Sequence, residues 1–182
     1  MKIAALVLPL LLVACSTQAD RPPVSGEDLL LSSLLDINRS RYVYKDPKGN
    51  EMFDELQHFK ALERFYIENI ELEKDKSELT DKQIKVLFFF AYYAQHKRAA
   101  IFQEYLAADL MTVFQKQEGD FLSTLADQPY LISPVCERLN AYFGFEGQHM
   151  DDKQPFLKQK SENIKIQLGK HAKACLSQFN PA

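Results

Sequence analysis

Four histidines, His58, His96, His149 and His171, are the first residues to test for chemistry, because imidazole is the side chain that changes charge near neutral pH. They stand far apart in sequence. No two occur at helical spacing and none belongs to an HExxH motif, so a zinc site is only weakly supported. His58 and His171 fall on expected helices beside charged neighbours, where structural roles are the expectation. The stretch Glu146-Gly147-Gln148-His149-Met150-Asp151-Asp152 is different: it gathers carboxylates and an imidazole in a glycine-containing loop. It lacks the alternating oxygen ligands of a calcium loop. Glu146, His149, Asp151 and Asp152 are therefore candidates for contact with a partner, with weak binding of a divalent cation as a lesser alternative and a solvated loop as the plainer reading.

Covalent and acid–base catalysis find no better footing. There is no GxSxG elbow, no SxxK and no cysteine with an evident histidine partner. Glu51 with Glu55, and Glu68 with Glu71, are acid pairs on expected amphipathic helices, where such pairs form a solvated face. No glycine-rich phosphate loop is present. The expectation is a non-enzyme without cofactor or metal. Aromatic residues are the other resource, with 13 Phe and 8 Tyr in a sequence without Trp. Most fall on core stripes, but Tyr92, Tyr105, Tyr130 and Tyr142 are candidates to line a groove, since tyrosine suits interfaces.

The elements that must position these residues read as helices throughout. Ser25-Gly26-Glu27-Asp28 resembles a capping box before a leucine-rich helix reaching about residue 38. Residues 39–50 read as a loop: Tyr42-Val43-Tyr44 alternates like a strand, but a turn signal follows at Asp46-Pro47-Lys48-Gly49 and no partner strand is visible. Asn50 is the expected cap of a second helix with Met52, Phe53, Leu56, Phe59, Leu62, Phe65, Tyr66 and Ile70 on one stripe.

A charged connector, residues 74–79, precedes a second capping box, Thr80-Asp81-Lys82-Gln83. The helix after it carries Ile84, Leu87, Phe88 and Ala91 on one face, and Val86, Phe89, Phe90 and Tyr93 on the other. Apolar nearly all round, it is the expected core helix. Gln95-His96-Lys97-Arg98 marks its end or a kink. A fourth helix stops near Gly119 as C-cap, Asp120 caps a short fifth over residues 121–126, and Ser133-Pro134 opens a sixth ending at Gly144. After the loop of residues 145–154, Gln154-Pro155 opens a last helix with Leu157, Ile164, Leu168, Cys175 and Phe179 on one stripe. The fold class is all-α, a compact bundle or stacked antiparallel helix pairs of six or seven helices.

The N-terminus places this domain. Met1 and Lys2 precede an uncharged apolar run, Ile3 to Ala14, that is too short for a bilayer span of about 20 residues and carries Pro9. It ends in Leu12-Val13-Ala14-Cys15, which resembles the lipobox of bacterial lipoproteins. The rival is an ordinary secretory signal cleaved after Ala19. The lipoprotein resemblance implies a signal peptide over residues 1–14, diacylglycerol (palmitate-type chains) on Cys15, and a lipidated tether over residues 15–24 broken by Pro22-Pro23. A single domain then fills residues 25–182. Ser16 after the cysteine implies the outer membrane of a Gram-negative cell, with the periplasmic face as default.

In that compartment the two cysteines left, Cys136 and Cys175, are expected to pair, with two buried free thiols as the alternative. A loop of about 40 residues closed this way stabilises the fold by roughly 4 kcal/mol on the chain-entropy model. The formal charge is −3. Removing Met1 to Ala14 takes away one lysine and lowers it to −4, which gives no case for nucleic acid or an electrostatic membrane patch. Three function classes follow, in order. First comes a non-catalytic binding or assembly lipoprotein acting on another envelope protein, as pilotins do for secretins. Second is an immunity or inhibitor protein that blocks a toxin or hydrolase. A periplasmic hydrolase is third.

Overall fold

The structure, a computed structural model, describes residue 30 and residues 33–37, 39–97, 100–144 and 149–179, with side chains except those of 96, 97 and 100–104. The expected signal peptide, Cys15, the tether, most of the first helix and Glu146 lie outside these residues. Residues 33–36 are helical, Leu30 is buried, and Leu34 and Ile37 pack on the core.

Residues 39–53 correct the sequence reading. Arg39–Tyr42 forms a 3-10 turn, and β1 (Val43–Lys45) pairs antiparallel with β2 (Glu51–Phe53), Tyr44 opposite Met52. Met52, Phe53 and Leu56 are spaced like the start of a helix, which is why the partner strand stayed hidden. The turn supplies the reason for the hairpin. Asp46 Oδ1 accepts the N–H groups of Lys48 and Asn50, both at 2.8 Å, while Oδ2 takes the Asn50 amide and Gly49 adopts φ +84°. These bonds, that from the Asn50 side chain foremost, hold the Asp46 carboxyl below its ordinary value. Asn50 thus serves the turn, and Asp54 caps the helix instead, accepting the Gln57 N–H at 3.0 Å.

The helix it caps, α1 (Glu55–Tyr66), runs on through a π-helical turn (Ile67–Glu71) into a last helical stretch (Leu72–Lys76). Next comes α2 (Asp81–Lys97), and its capping box forms as expected: Gln83 Oε1 accepts the Thr80 N–H at 2.9 Å and the Thr80 hydroxyl accepts the Gln83 N–H at 3.4 Å. It is the core helix, with Ile84, Leu87, Phe88, Ala91, Val86 and Phe90 buried around its circumference; the exceptions are Phe89, at 37% exposure, and half-buried Tyr93.

The remaining helices are α3 (Ala100–Lys116), α4 (Glu118–Ala126), α5 (Ile132–Tyr142), α6 (Lys153–Leu168) and α7 (Ala172–Phe179). The fold is all-α with seven helices among the described residues. The α5 helix packs on α2, α3 and α7, and α4 lies between α2 and α6. Rings run through the centre: Phe121 meets Phe88 at 4.7 Å and Phe114 at 5.3 Å, both edge-on, and Phe156 links Phe114, Phe143 and Phe179. No described helix is long and apolar enough to cross a membrane.

Three expected boundaries move. Gly119 lies inside α4 and is no C-cap, because α3 ends at Lys116 and Gln117 takes the junction; Asp120 is likewise inside α4. Ser133 does not cap α5, which starts at Ile132 after a 3-10 turn (Pro129–Leu131); its hydroxyl instead accepts from Gln178 Nε2 at 3.0 Å. The last helix is two. Gly169, at φ +52°, breaks the helix between α6 and α7, a backbone state that glycine tolerates. Cys136 of α5 and Cys175 of α7 are joined as a disulfide, with Cα atoms 5.1 Å apart and both residues buried.

Candidate functional site

Of the loop singled out from sequence, His149, Met150, Asp151 and Asp152 lie among the described residues. His149 precedes a 3-10 turn (Met150–Asp152) that leads into α6. Its ring lies flat on Tyr142 at the end of α5, with centroids 4.3 Å apart and planes 10° off parallel. Its Nδ1 is 3.3 Å from Asp152 Oδ2. Asp151 and Asp152 are both exposed. Among the described residues no three metal-ligating side chains converge, here or elsewhere. Asp152 and Tyr142 border an open depression of mixed polarity, about 380 Å³ in volume, together with Phe143, Phe156, Gln159 and Lys160.

A second concavity, of about 380 Å³, is built differently. Lys85, Phe89 and Tyr92 succeed one another at i, i+4 and i+7 on α2, so they share one face. Opposite them stand Gln128, Tyr130 and Leu131 from the connection between α4 and α5. That connection is held by its own backbone: the Gln128 N–H donates to Leu125 O at 3.0 Å and the Leu131 N–H to Gln128 O at 2.9 Å. Buried Leu131 anchors it from beneath, and Tyr130 is turned outward, 69% exposed. With Phe89 at 37% and Tyr92 at 38%, three rings open to solvent line one groove beside a lysine ammonium and a carboxamide. These groups bind by stacking, apolar contact and charge.

Of the four tyrosines proposed from sequence, Tyr92 and Tyr130 are thus brought together. Tyr142 stands at the other depression, and Tyr105, 65% exposed, lines neither. The i, i+4, i+7 pattern of Lys85, Phe89 and Tyr92 was visible in the sequence. That Tyr130 faces it was not.

Two polar clusters escaped sequence reading altogether. Tyr66 donates to Asp109 Oδ2 at 2.6 Å and Lys74 Nζ sits 3.0 Å from Asp109 Oδ1, all three largely enclosed between α3 and the α1 rod. Burial first, then the charge of Asp109 and the hydrogen bond to it, push the Tyr66 phenol well above its ordinary value. The only available signal was an aspartate in the middle of an apolar helix. In the second cluster, Gln117 clamps Leu79 from both sides: its Oε1 accepts the Leu79 N–H at 2.8 Å, and its Nε2 donates to Leu79 O at 2.9 Å.

His58 is also structural. It is 9% exposed, with Nε2 3.1 Å from Ile37 O and its ring edge-on to Tyr42 at 5.0 Å. It fastens the N-terminal stretch and the hairpin to α1. His171 sits half-buried in the 3-10 turn after α6, and the His96 side chain lies outside the described ones. No protein-family model matches this sequence, and no curated protein or solved structure matches it either, so its functional reading rests on its own residues.

Proposed function

We propose that this protein is a non-catalytic binding lipoprotein, held at the periplasmic face of the outer membrane by acyl chains on Cys15. It presents the groove of Lys85, Phe89, Tyr92, Gln128, Tyr130 and Leu131 to a segment of another envelope protein. The observation that carries this reading is the cluster of three solvent-open rings in one concavity. Exposed aromatics gathered beside polar groups are the composition of interface anchors, and tyrosine brings large contact area at low entropic cost. The LVAC motif supports the anchor. Tethering confines the groove to the space beside the membrane, where a weak intrinsic affinity suffices because the partner shares that surface.

Exposed Asp151 and Asp152 support a second reading, an inhibitor that inserts an acidic loop into a partner. One experiment separates them. A photo-crosslinking amino acid replaces Tyr130 in one strain and Met150, 65% exposed beside the acidic loop, in another, each in the full lipidated protein within its own envelope. A dominant adduct from position 130, lost from the membrane fraction with Cys15→Ala, is the expected result. An adduct from position 150 with none from 130 transfers the reading to the inhibitor loop. Lipid labelling that persists in Cys15→Ala removes the anchor.

A further inference from the structure

Tyr44 of β1 and Met52 of β2 stand opposite each other across the hairpin, so their side chains leave the same face of the ribbon. They are 52% and 44% exposed. The other face is the one the fold holds: the Phe53 ring centroid lies 5.5 Å from that of His58, and the Arg39 guanidinium sits 4.3 Å above the Phe53 ring. Leu35 and Leu56, in the helical turns before and after the hairpin, are exposed as well. A two-stranded ribbon has no core of its own and is marginal in water, so an outward Tyr–Met pair on it gains by being covered.

Where the chain enters the domain decides what lies against that face. Ile37 O is 3.1 Å from His58 Nε2 and Asp36 pairs with Arg41 at 2.9 Å, so the incoming N-terminal stretch and the hairpin form one edge of the fold. Cys15 stands 15 residues before Leu30, a reach of at most about 50 Å even fully extended. A lipidated Cys15 therefore brings this edge to the membrane before any other.

The composition of the edge suits a lipid surface. Tyrosine settles at the headgroup boundary with its ring in the apolar region and its hydroxyl in water, and methionine adds a flexible apolar chain. Lysine and arginine stems lie along such a surface with their charged ends among the headgroups. Residues 39–53 hold Arg39, Arg41, Lys45 and Lys48 against Asp46 and Glu51, so anionic headgroups do not repel this segment, although the chain as a whole carries −3.

We infer, building on the proposed anchor at Cys15, that the hairpin seats on the phospholipid surface, with Tyr44 and Met52 entering the boundary between headgroups and acyl chains. The acyl chains supply the attachment and hold the hairpin at high local concentration, so a shallow and individually weak contact suffices. Its effect is orientation: one edge of the domain is fixed against the bilayer and the remainder points into the periplasm.

A sequence without Trp allows a direct test. Tyr44→Trp places the single indole of the chain in the hairpin, and Ile166→Trp places it on exposed α6, which packs on α4 and α7. Each full protein is purified from the cell envelope, its acylation read by mass spectrometry, and reconstituted in vesicles of phosphatidylethanolamine and phosphatidylglycerol, with and without bromine on the acyl chains. The expected result is a blue-shifted emission from Tyr44→Trp that brominated lipid quenches, and an unshifted, unquenched emission from Ile166→Trp. Adding Met52→Asp and Leu56→Asp to Tyr44→Trp is expected to abolish both the shift and the quenching.

A lipidated protein with no quenching at either position, with equal quenching at both, or with quenching that survives the two aspartates overturns the seat and leaves the anchor standing. So does a blue shift without quenching, since protein, either the tether or a second copy, then covers the face. Protein without acyl chains on Cys15 removes the anchor and the seat with it.

Discussion

Asp109 offers the sharpest test of how this fold is held together. Its carboxylate takes the Tyr66 hydroxyl on one oxygen and the Lys74 ammonium on the other, with its side chain 8% exposed and that of Lys74 11% exposed. Asp109→Ala leaves a buried ammonium without its near partner and a buried phenol without its acceptor. Removing one member of a buried ion pair costs about 3–5 kcal/mol. Lys74 retains a distant contact, 3.8 Å to exposed Asp75, so the lower part of that range is expected. In a protein of this size about 3 kcal/mol corresponds to a fall in Tm of roughly 6–12 °C.

The informative comparison is the double variant Asp109→Leu with Lys74→Met. Removing both charges avoids the orphaned ammonium, so this variant is expected to recover most of the loss despite lacking the salt bridge. Tyr66→Phe, which removes one hydrogen bond to a charged acceptor, is expected to cost about 1.5–3 kcal/mol. Denaturant melts read all three. Asp109→Ala costing less than about 1 kcal/mol, or the apolar pair costing more than the single variant, refutes the argument from burial.

Tyr66 itself predicts an alkaline weakness. Its phenol is raised in the folded state above the ordinary 10.0, so the stability it contributes is complete below that value and is lost as pH climbs past it, when the unfolded protein ionises and the native one does not. Melts at about pH 8 and about pH 11 are expected to differ less in Tyr66→Phe than in the native protein; an equal difference counts against the assignment. Gln117→Ala strips both backbone partners from buried Leu79 and is expected to cost about 2–4 kcal/mol. Gln117→Glu keeps only the acceptor, so acidification is expected to restore part of its loss, and an acid-insensitive variant contradicts the clamp. The Cys136–Cys175 bridge is buried at both ends, so thiol release by reductant is expected to follow the rate of global unfolding. Rapid reduction of the native protein goes against this. Replacing both cysteines by serine lowers stability by about 2–4 kcal/mol, read in the same melts.

Local signals in the sequence succeeded where both partners of an interaction lie within one turn. Thr80 and Gln83 are neighbours on that scale, and the cap they announce forms. Most of the apolar residues of α2, and Leu62, Phe65 and Tyr66 of α1, are buried as periods of three and four announce, whereas Leu56, on the same stripe, is 60% exposed. Gly119, Ser133 and Asn50 misled for the converse reason. Each is a competent cap, but a distant or neighbouring partner offered more: Gln178 engages Ser133, the Asp46 turn takes Asn50, and Gln117 holds Leu79 from the helix junction expected at Gly119. The hairpin was hidden because so short a strand has no period long enough to distinguish from a helix start.

From local order alone come the helical class, the core helix, the proposed anchor at Cys15 and the pairing of Cys136 with Cys175, for which two cysteines allow one intramolecular connectivity. Tertiary structure decided everything that depends on residues from different elements meeting. The groove exists because the short connection between α4 and α5 sets Tyr130 against a face of α2, far away in sequence. The buried Tyr66–Asp109–Lys74 cluster exists because α3 lies along the α1 rod. Spacing along a helix is written in the sequence by its periodicity; proximity between helices arises only when apolar faces are buried together, and no short-range pattern encodes it.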